Sequence, residues 1–412
     1  MQEVLIFQLN KKVPMLIALG ALFYIYVLQY PLSQLLPDST LGPEYGLGKW
    51  ISGYFFVILS TVIFMAALHF GLNSASKSIL ITKQRHNIVI RRMSLPMVAL
   101  IIIFFGLWTY LMVFYKLGMT IYADFDPLPL HMAGVLFYGR LFLQPLVLTY
   151  IATGYIYSKN KWFIFLLLSA LACWVSIASG SRFASLAFAA PFLFLFKGKV
   201  RYLVFVSVFL GLITLATLTR SFYLPYIIGG EYIQIYANDQ YLSSLIENLY
   251  FLPIFYIIYR PLGMGELLMT LDYGEITSSF SDALQTSLSY FFPFMFSSSG
   301  ASIKNIYGLN DDVFGGFSLD MFSIYWTSFG GNIILYTFGL ALIGWLLGKT
   351  YAQFAIGLAR IGAAKLGVLV FALLFILTFE GRAFLIPWLF ILGWLFSRRE
   401  IPLLIFSLFS SK

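Results

Sequence analysis

Charge is what this sequence has least of. Only 10% of its 412 residues are Asp, Glu, Lys or Arg, against 60% hydrophobic and 19% aromatic residues. A water-soluble domain of this length needs far more charge to clothe its surface, so the composition excludes one. Cysteine is nearly absent as well. Cys173 stands alone inside an apolar run, which excludes an intrachain disulfide and a thiolate metal cluster. Stretches such as FIFLLLSALACWV lack the alternation of a transmembrane strand, which argues against a β-barrel. No Walker loop, nucleotide fingerprint, zinc-ligand spacing or internal repeat is visible. Lys11 and Lys12 before an apolar stretch imitate a secretory signal, but PLSQLLPDS follows in place of a small-residue cleavage site. The sequence therefore predicts an uncleaved first span.

What is there instead is a series of apolar runs near ~18 residues, about the length that crosses a ~30 Å hydrocarbon core. The fold expected is all-α: a polytopic membrane protein with ten spans at roughly 13–30, 51–71, 97–115, 141–157, 162–179, 183–196, 202–219, 326–348, 366–379 and 383–396. Residues 1–219 form spans one to seven, 220–325 a large loop, and 326–412 spans eight to ten with a tail. Loop charge sets the orientation. One set of loops (1–12, 72–96, 158–161, 197–201, 349–365 and 397–412) carries 18 basic residues against two acids, Glu3 and Glu400. The opposite set carries 8 basic residues and 15 acids. The first set, with both termini, is expected to be cytoplasmic, which puts 220–325 outside.

That loop has two apolar stretches of its own, 241–258 and 287–297. Glu247 and Pro253 interrupt the first, and the second is short for a crossing, so amphipathic helices at the outer leaflet are expected. Crossing by both would give twelve spans.

Five of the chain's 12 arginines fall on the external side, against three of its 14 lysines. Arg140, Arg182, Arg220 and Arg382 stand at or near span ends, and Arg260 follows the first amphipathic stretch. Interfacial arginines often only snorkel. Snorkelling does not explain the scarcity of lysine, which anchors equally well. A guanidinium grips phosphate oxygens through a planar fork and keeps its proton, whereas an ammonium is a point charge. In SGSRF (179–183) Arg182 also opens a span, where unpaired N–H groups favour an anion, and EGRAF (380–384) repeats the Gly-Arg pair. These five arginines are expected to form a ring that binds a di-anionic headgroup at the outer leaflet.

The short GSR turn, the large late loop and the following DMFSIYWTSFGGNIILYTFGLALIGWLLG (320–348) resemble Wzy-type O-antigen polymerases. Tyr325, Phe329, Gly330 and Gly331 fill that family's aromatic Y..FG..G pattern at the start of a span, and YRPLGMGELLMTLDYG is similar to its loop segment built around an arginine, here Arg260. The resemblance implies a GT-C-like glycosyltransferase of the bacterial inner membrane. It would move a growing glycan from undecaprenyl diphosphate onto another lipid-linked repeat unit. Donor and acceptor glycolipids, and a chain-length-regulating co-polymerase, are the partners implied, with no cofactor and no nucleic acid.

Such a transfer needs a base for the acceptor hydroxyl. No histidine falls in the external loop, which leaves its carboxylates. Asp320 immediately precedes the aromatic motif, and Glu247 stands in an apolar stretch that gives a carboxylate no obvious home. Both are candidates, Asp320 ahead; most of the remaining loop acids read as solvated charge, and Glu380 as an ion-pair partner of Arg382. The NDD at 310–312 could hold a hard cation but reads better as a solvated turn, so no metal is expected. The aromatic run YLPYIIGGEYIQIY suits sugar faces and lipid packing equally. Two alternatives stay open. An O-antigen ligase shares the donor, although ligases carry a histidine in the external loop; a lipid-linked oligosaccharide transporter would need cations deeper in the bundle.

Overall fold

The computed structural model describes residues 4–7, 9–28, 46–74, 79–82, 95–115, 136, 139–156, 158–179, 182–219, 267–268, 270–271, 280–291, 321–360, 363–379 and 383–398. It is a helical membrane protein. Five described helices are long and apolar enough to cross a bilayer: α2 (Leu47–Ser74), α3 (Leu95–Phe114), α5 (Lys161–Ser179), α8 (Val200–Leu218) and α11 (Ile333–Arg360). Shorter apolar helices are α1 (Lys12–Phe23, continued by a π-helical turn Tyr24–Leu28), α4 (Gln144–Tyr155), α12 (Gly367–Phe379) and α13 (Ile386–Ser397). Their outer faces are as oily as their inner ones. On α2 the buried stripe Val57, Ser60, Phe64, Leu68 has helical spacing, while Phe55, Ile58 and Val62 are exposed. Such a surface is stable only against lipid.

Three boundaries differ from the sequence reading. The sixth apolar run is two short helices, α6 (Arg182–Ala189) and α7 (Phe192–Leu195), broken at Ala190 and Pro191. Proline lacks the N–H that would continue the ladder, and eight residues rise only ~12 Å. The eighth run is likewise split. α10 (Met321–Ser328) ends in a turn where Gly330 and Gly331 take φ of 64° and 69°, and α11 then starts afresh, capped by the Asn332 side chain. α11 also continues to Arg360, well beyond 348. A two-stranded antiparallel ribbon was not expected. β1 (Val4–Phe7) pairs with β2 (Ile79–Thr82), Val4 opposite Thr82 and Phe7 opposite Ile79. The positive-inside pattern assigns both segments to the same side, and the pairing agrees with that.

Within the external loop, helix α9 (Phe280–Phe291) begins ahead of the apolar stretch read at 287–297 and overlaps its start. It is amphipathic, with Asp282 exposed and Ala283 and Ser287 buried. The stretch 241–258 lies outside the described residues.

The chain divides into two compact units, one of residues 1–89 and 257–408, the other of 90–256 and 409–412. The first is built around α2 and α11, which approach through glycine. A Cβ on Gly348 would stand 2.6 Å from the Leu68 carbonyl oxygen, and one on Gly344 2.7 Å from that of Phe64. This is the small-residue, four-apart spacing that lets two membrane helices touch backbones. Hydroxyls lock the rest. Tyr336 reaches Ser60 at 2.7 Å, Tyr325 donates to the Thr378 carbonyl, and the Phe322 N–H donates to the Tyr26 hydroxyl at 3.1 Å. α13 packs on α11 in the same sense, since Phe354 meets Gly393 and Gly357 meets Phe396. In the second unit α3 packs on α5, and α8 gathers α5, α6 and α7.

Candidate anion-binding site

The second unit holds the candidate site. Its key element is a π-helical turn, Gly139–Leu143, leading into α4. Local chemistry accounts for that turn. Pro145 cannot donate an N–H, and its ring crowds the carbonyl four residues back, so a wider turn relieves the clash. Trp108 fixes the approach. Its indole donates to the Leu136 carbonyl at 3.1 Å, and its ring stands 2.7 Å from where a Cβ on Gly139 would be. Only glycine fits there.

The turn carries Arg140 into the protein. Arg140 is 1% exposed and is among the largest wholly buried side chains. A snorkelling anchor keeps its guanidinium in water; this one does not, so the interfacial-anchor reading fails at Arg140. About one turn further on, Gln144 is also wholly buried, and neither its Nε2 nor its Oε1 has a hydrogen-bond partner. A buried amide left in that state costs about 1–3 kcal/mol. Charged or amide side chains inside a membrane helix usually mark substrate contacts, and π-helical turns recur at functional positions.

Helix α6 packs against the same turn. Arg182 is its first residue; only its backbone belongs to the described structure. α6 is held to its neighbours by a polar chain inside an apolar bundle. The hydroxyls of Ser176 and Ser185 are 3.1 Å apart, and Ser185 donates to the Leu212 carbonyl at 3.2 Å. Near the end of α8, Thr217 is buried and its hydroxyl has no partner. The structure thus brings together the turn bearing Arg140 and the helix opened by Arg182. Arg220, Arg260, Arg382, Asp320 and Glu247 lie outside the described residues, as do Gly180, Ser181 and the NDD at 310–312.

Sequence reasoning missed Gln144. The available signal was a Gln-Pro pair at the head of an apolar run. The aromatic motif that carries the family resemblance also has a packing role. Tyr325 ties α10 to α12, and the Phe329 ring covers Gly339, where a Cβ would come within 2.0 Å of it. Among the described residues no three His, Cys, Asp or Glu side chains cluster as a metal site would. Comparison with protein-family models, with curated proteins and with solved structures returns no match.

Proposed function

We propose that this protein is a membrane glycosyltransferase that polymerises lipid-linked oligosaccharide repeat units of a surface polysaccharide such as O-antigen. The observation that carries the reading is the burial of Arg140 one turn from an amide with no partner of its own, in a turn packed on the helix opened by Arg182. In this reading the donor is a glycan on undecaprenyl diphosphate, and the leaving group is the lipid diphosphate. Its negative charge grows as the glycosidic C–O bond breaks. Guanidinium groups already in place stabilise that charge more in the transition state than in the ground state. Arg140 and Arg182 form one part of the clamp; Arg220, Arg260 and Arg382 are its further members. Asp320, or failing it Glu247, takes the proton of the acceptor hydroxyl. The energy is that of the lipid diphosphate, so no cofactor is required.

The reading goes with ten spans in a GT-C-like arrangement in a bacterial inner membrane, both termini cytoplasmic and the loop 220–325 periplasmic. A chain-length-regulating co-polymerase is its natural partner. Deleting the gene tests it. The expected result is surface lipid capped with a single repeat unit, because ligation continues without polymerisation. Long chains left on the lipid carrier with no surface glycan would point to a ligase instead. The burial of Arg140 also suits a transporter, which predicts repeat units trapped on the cytoplasmic face.

A further inference from the structure

We infer that Gln144 reads an acetamido group on the sugar next to the diphosphate, an inference that rests on the function proposed above. Gln144 opens α4 and is wholly buried, and both heteroatoms of its amide lack hydrogen-bond partners. Such an amide offers N–H donors at one end and a carbonyl acceptor at the other. Turning it over only exchanges the ends, so either way round a donor and an acceptor stay unserved. An ionised phosphate is all acceptor. It would serve Nε2 and leave Oε1 buried against a second acceptor, which is a costly state for a carbonyl. The group that meets Gln144 therefore presents a donor and an acceptor side by side. It is not the diphosphate itself.

Position ties that group to the sugar bonded to the diphosphate. Arg140, assigned above to the diphosphate, is buried four residues earlier, ~6 Å along the axis at an ordinary helical rise. With phosphate at Arg140, the group within reach of Gln144 is a substituent on the ring carbon beside the anomeric one.

The surroundings choose between the substituents that offer both a donor and an acceptor. Leu141 and Leu148, which share a helix face with Gln144, are buried and apolar. Thr149, the nearest hydroxyl along α4, is already spent on the Pro145 carbonyl at 2.7 Å. A pair of sugar hydroxyls brings more donors and lone pairs than one amide can use, and this face of α4 has nothing polar for the rest. An acetamido group brings one N–H and one carbonyl, the complement of what Gln144 leaves unserved. Its methyl suits the leucines.

The test is equilibrium binding to the full-length protein in lipid nanodiscs, with three short-chain prenyl diphosphates as probes. One carries N-acetylglucosamine, one carries glucose, which has a hydroxyl in place of the acetamido group, and one has no sugar. The parent should bind the acetamido probe at least about tenfold more tightly than the glucose probe, since a buried polar group left unpaired costs that much. Gln144→Leu should erase the preference and leave binding of the sugarless diphosphate unchanged. Thr149→Val should keep the preference. Protein level and thermal unfolding are read alongside, and Gln144→Met, also close in volume, stands in if the leucine variant misfolds. Equal binding of the two sugars by the folded parent, no binding of the acetamido probe, or a preference that survives the loss of Gln144 overturns the inference. Tighter binding of glucose that depends on Gln144 overturns it too and assigns the amide to a diol. Weaker binding of the sugarless probe by the leucine variant assigns the amide to phosphate. The two readings fail separately. A preference that depends on Gln144, together with normal glycan chains in the deletion strain, keeps the sugar contact and sinks the polymerase. Short glycan in the deletion strain, together with equal binding of both sugars, sinks the sugar contact alone.

Discussion

Among the described residues, the two units differ in which buried polar groups they leave without partners. In the first, side-chain hydroxyls mostly act as ties: Tyr336 to Ser60, Tyr325 to the Thr378 carbonyl, Tyr26 to the Phe322 N–H. Its orphans among the described residues are single-atom groups, the Thr270 and Thr350 hydroxyls and the Trp326 indole N–H, as Ser169 and Thr217 are in the second unit. In the second, a whole amide is orphaned at Gln144, beside a buried guanidinium and near helix ends that sequence reasoning had marked for anions. Polar groups in a membrane protein are expensive. Where they are spent on neighbours they hold helices together. Where a whole amide is kept unspent beside a buried guanidinium, as at Gln144, folding gives no reason for it and a ligand would.

The comparison breaks most sharply at glycine. Gly348→Leu pushes side-chain atoms into the Leu68 carbonyl and the Leu72 N–H, both backbone, so neither can turn away. Overpacking typically costs about 1–3 kcal/mol and more where, as here, the clash is with backbone that cannot turn away. The first unit should lose its fold, seen as near-complete loss of protein from the membrane. Normal accumulation with unchanged thermal unfolding would mean that α2 and α11 are not bound through their backbones.

Arginine sharpens it from the other side. Arg182→Lys and Arg140→Lys keep a cation but lose the fork. Losing a charge-assisted hydrogen bond costs about 1.5–3 kcal/mol, a rate drop of roughly ten- to a hundredfold. Glycan chain length should collapse in both variants while both insert at normal levels, and Arg182→Ala should be nearly inactive. Chains of parental length from both lysine variants would show that the arginines serve only as cations, and the phosphate clamp would be wrong.

Helix positions were legible because a bilayer demands long apolar runs, and the described residues of each run are mainly helical. Breaks within runs were less legible. Pro191 was in plain view, but an apolar run is as compatible with two short helices as with one span. The ribbon was hidden for a different reason. VLIF and ILIT are too short to signal strands alone, and they pair across more than seventy residues of chain. At the candidate site the sequence marked Arg140 by its place near a span end. It could not show the burial, which depends on how Trp108, Gly139 and Pro145 shape the turn. Arg220, Arg260, Arg382, Asp320 and Glu247 remain positions known by sequence alone.

The smallest expected effect is also the one with the reversed sign. Gln144 is wholly buried with no hydrogen bond, so folding bears its desolvation and receives nothing back. Leucine has a similar size and no polar atoms. Gln144→Leu should therefore raise stability by about 1 kcal/mol, because an orphaned polar group costs about 1–3 kcal/mol and its apolar replacement does not. If the amide exists to contact substrate, the same change should shorten the glycan chains, since the contact is lost just as the fold gains. Stability and function would then move apart in one variant, which a structural residue cannot do. Gln144→Glu gives the matching control. A carboxylate near Arg140 competes with an anionic ligand, so activity should fall further than in the leucine variant. Thermal unfolding in detergent and chain-length distribution, read together on both variants, decide it. A leucine variant that is less stable than the parent, or more stable and fully active, would return Gln144 to the fold and leave the site without its amide.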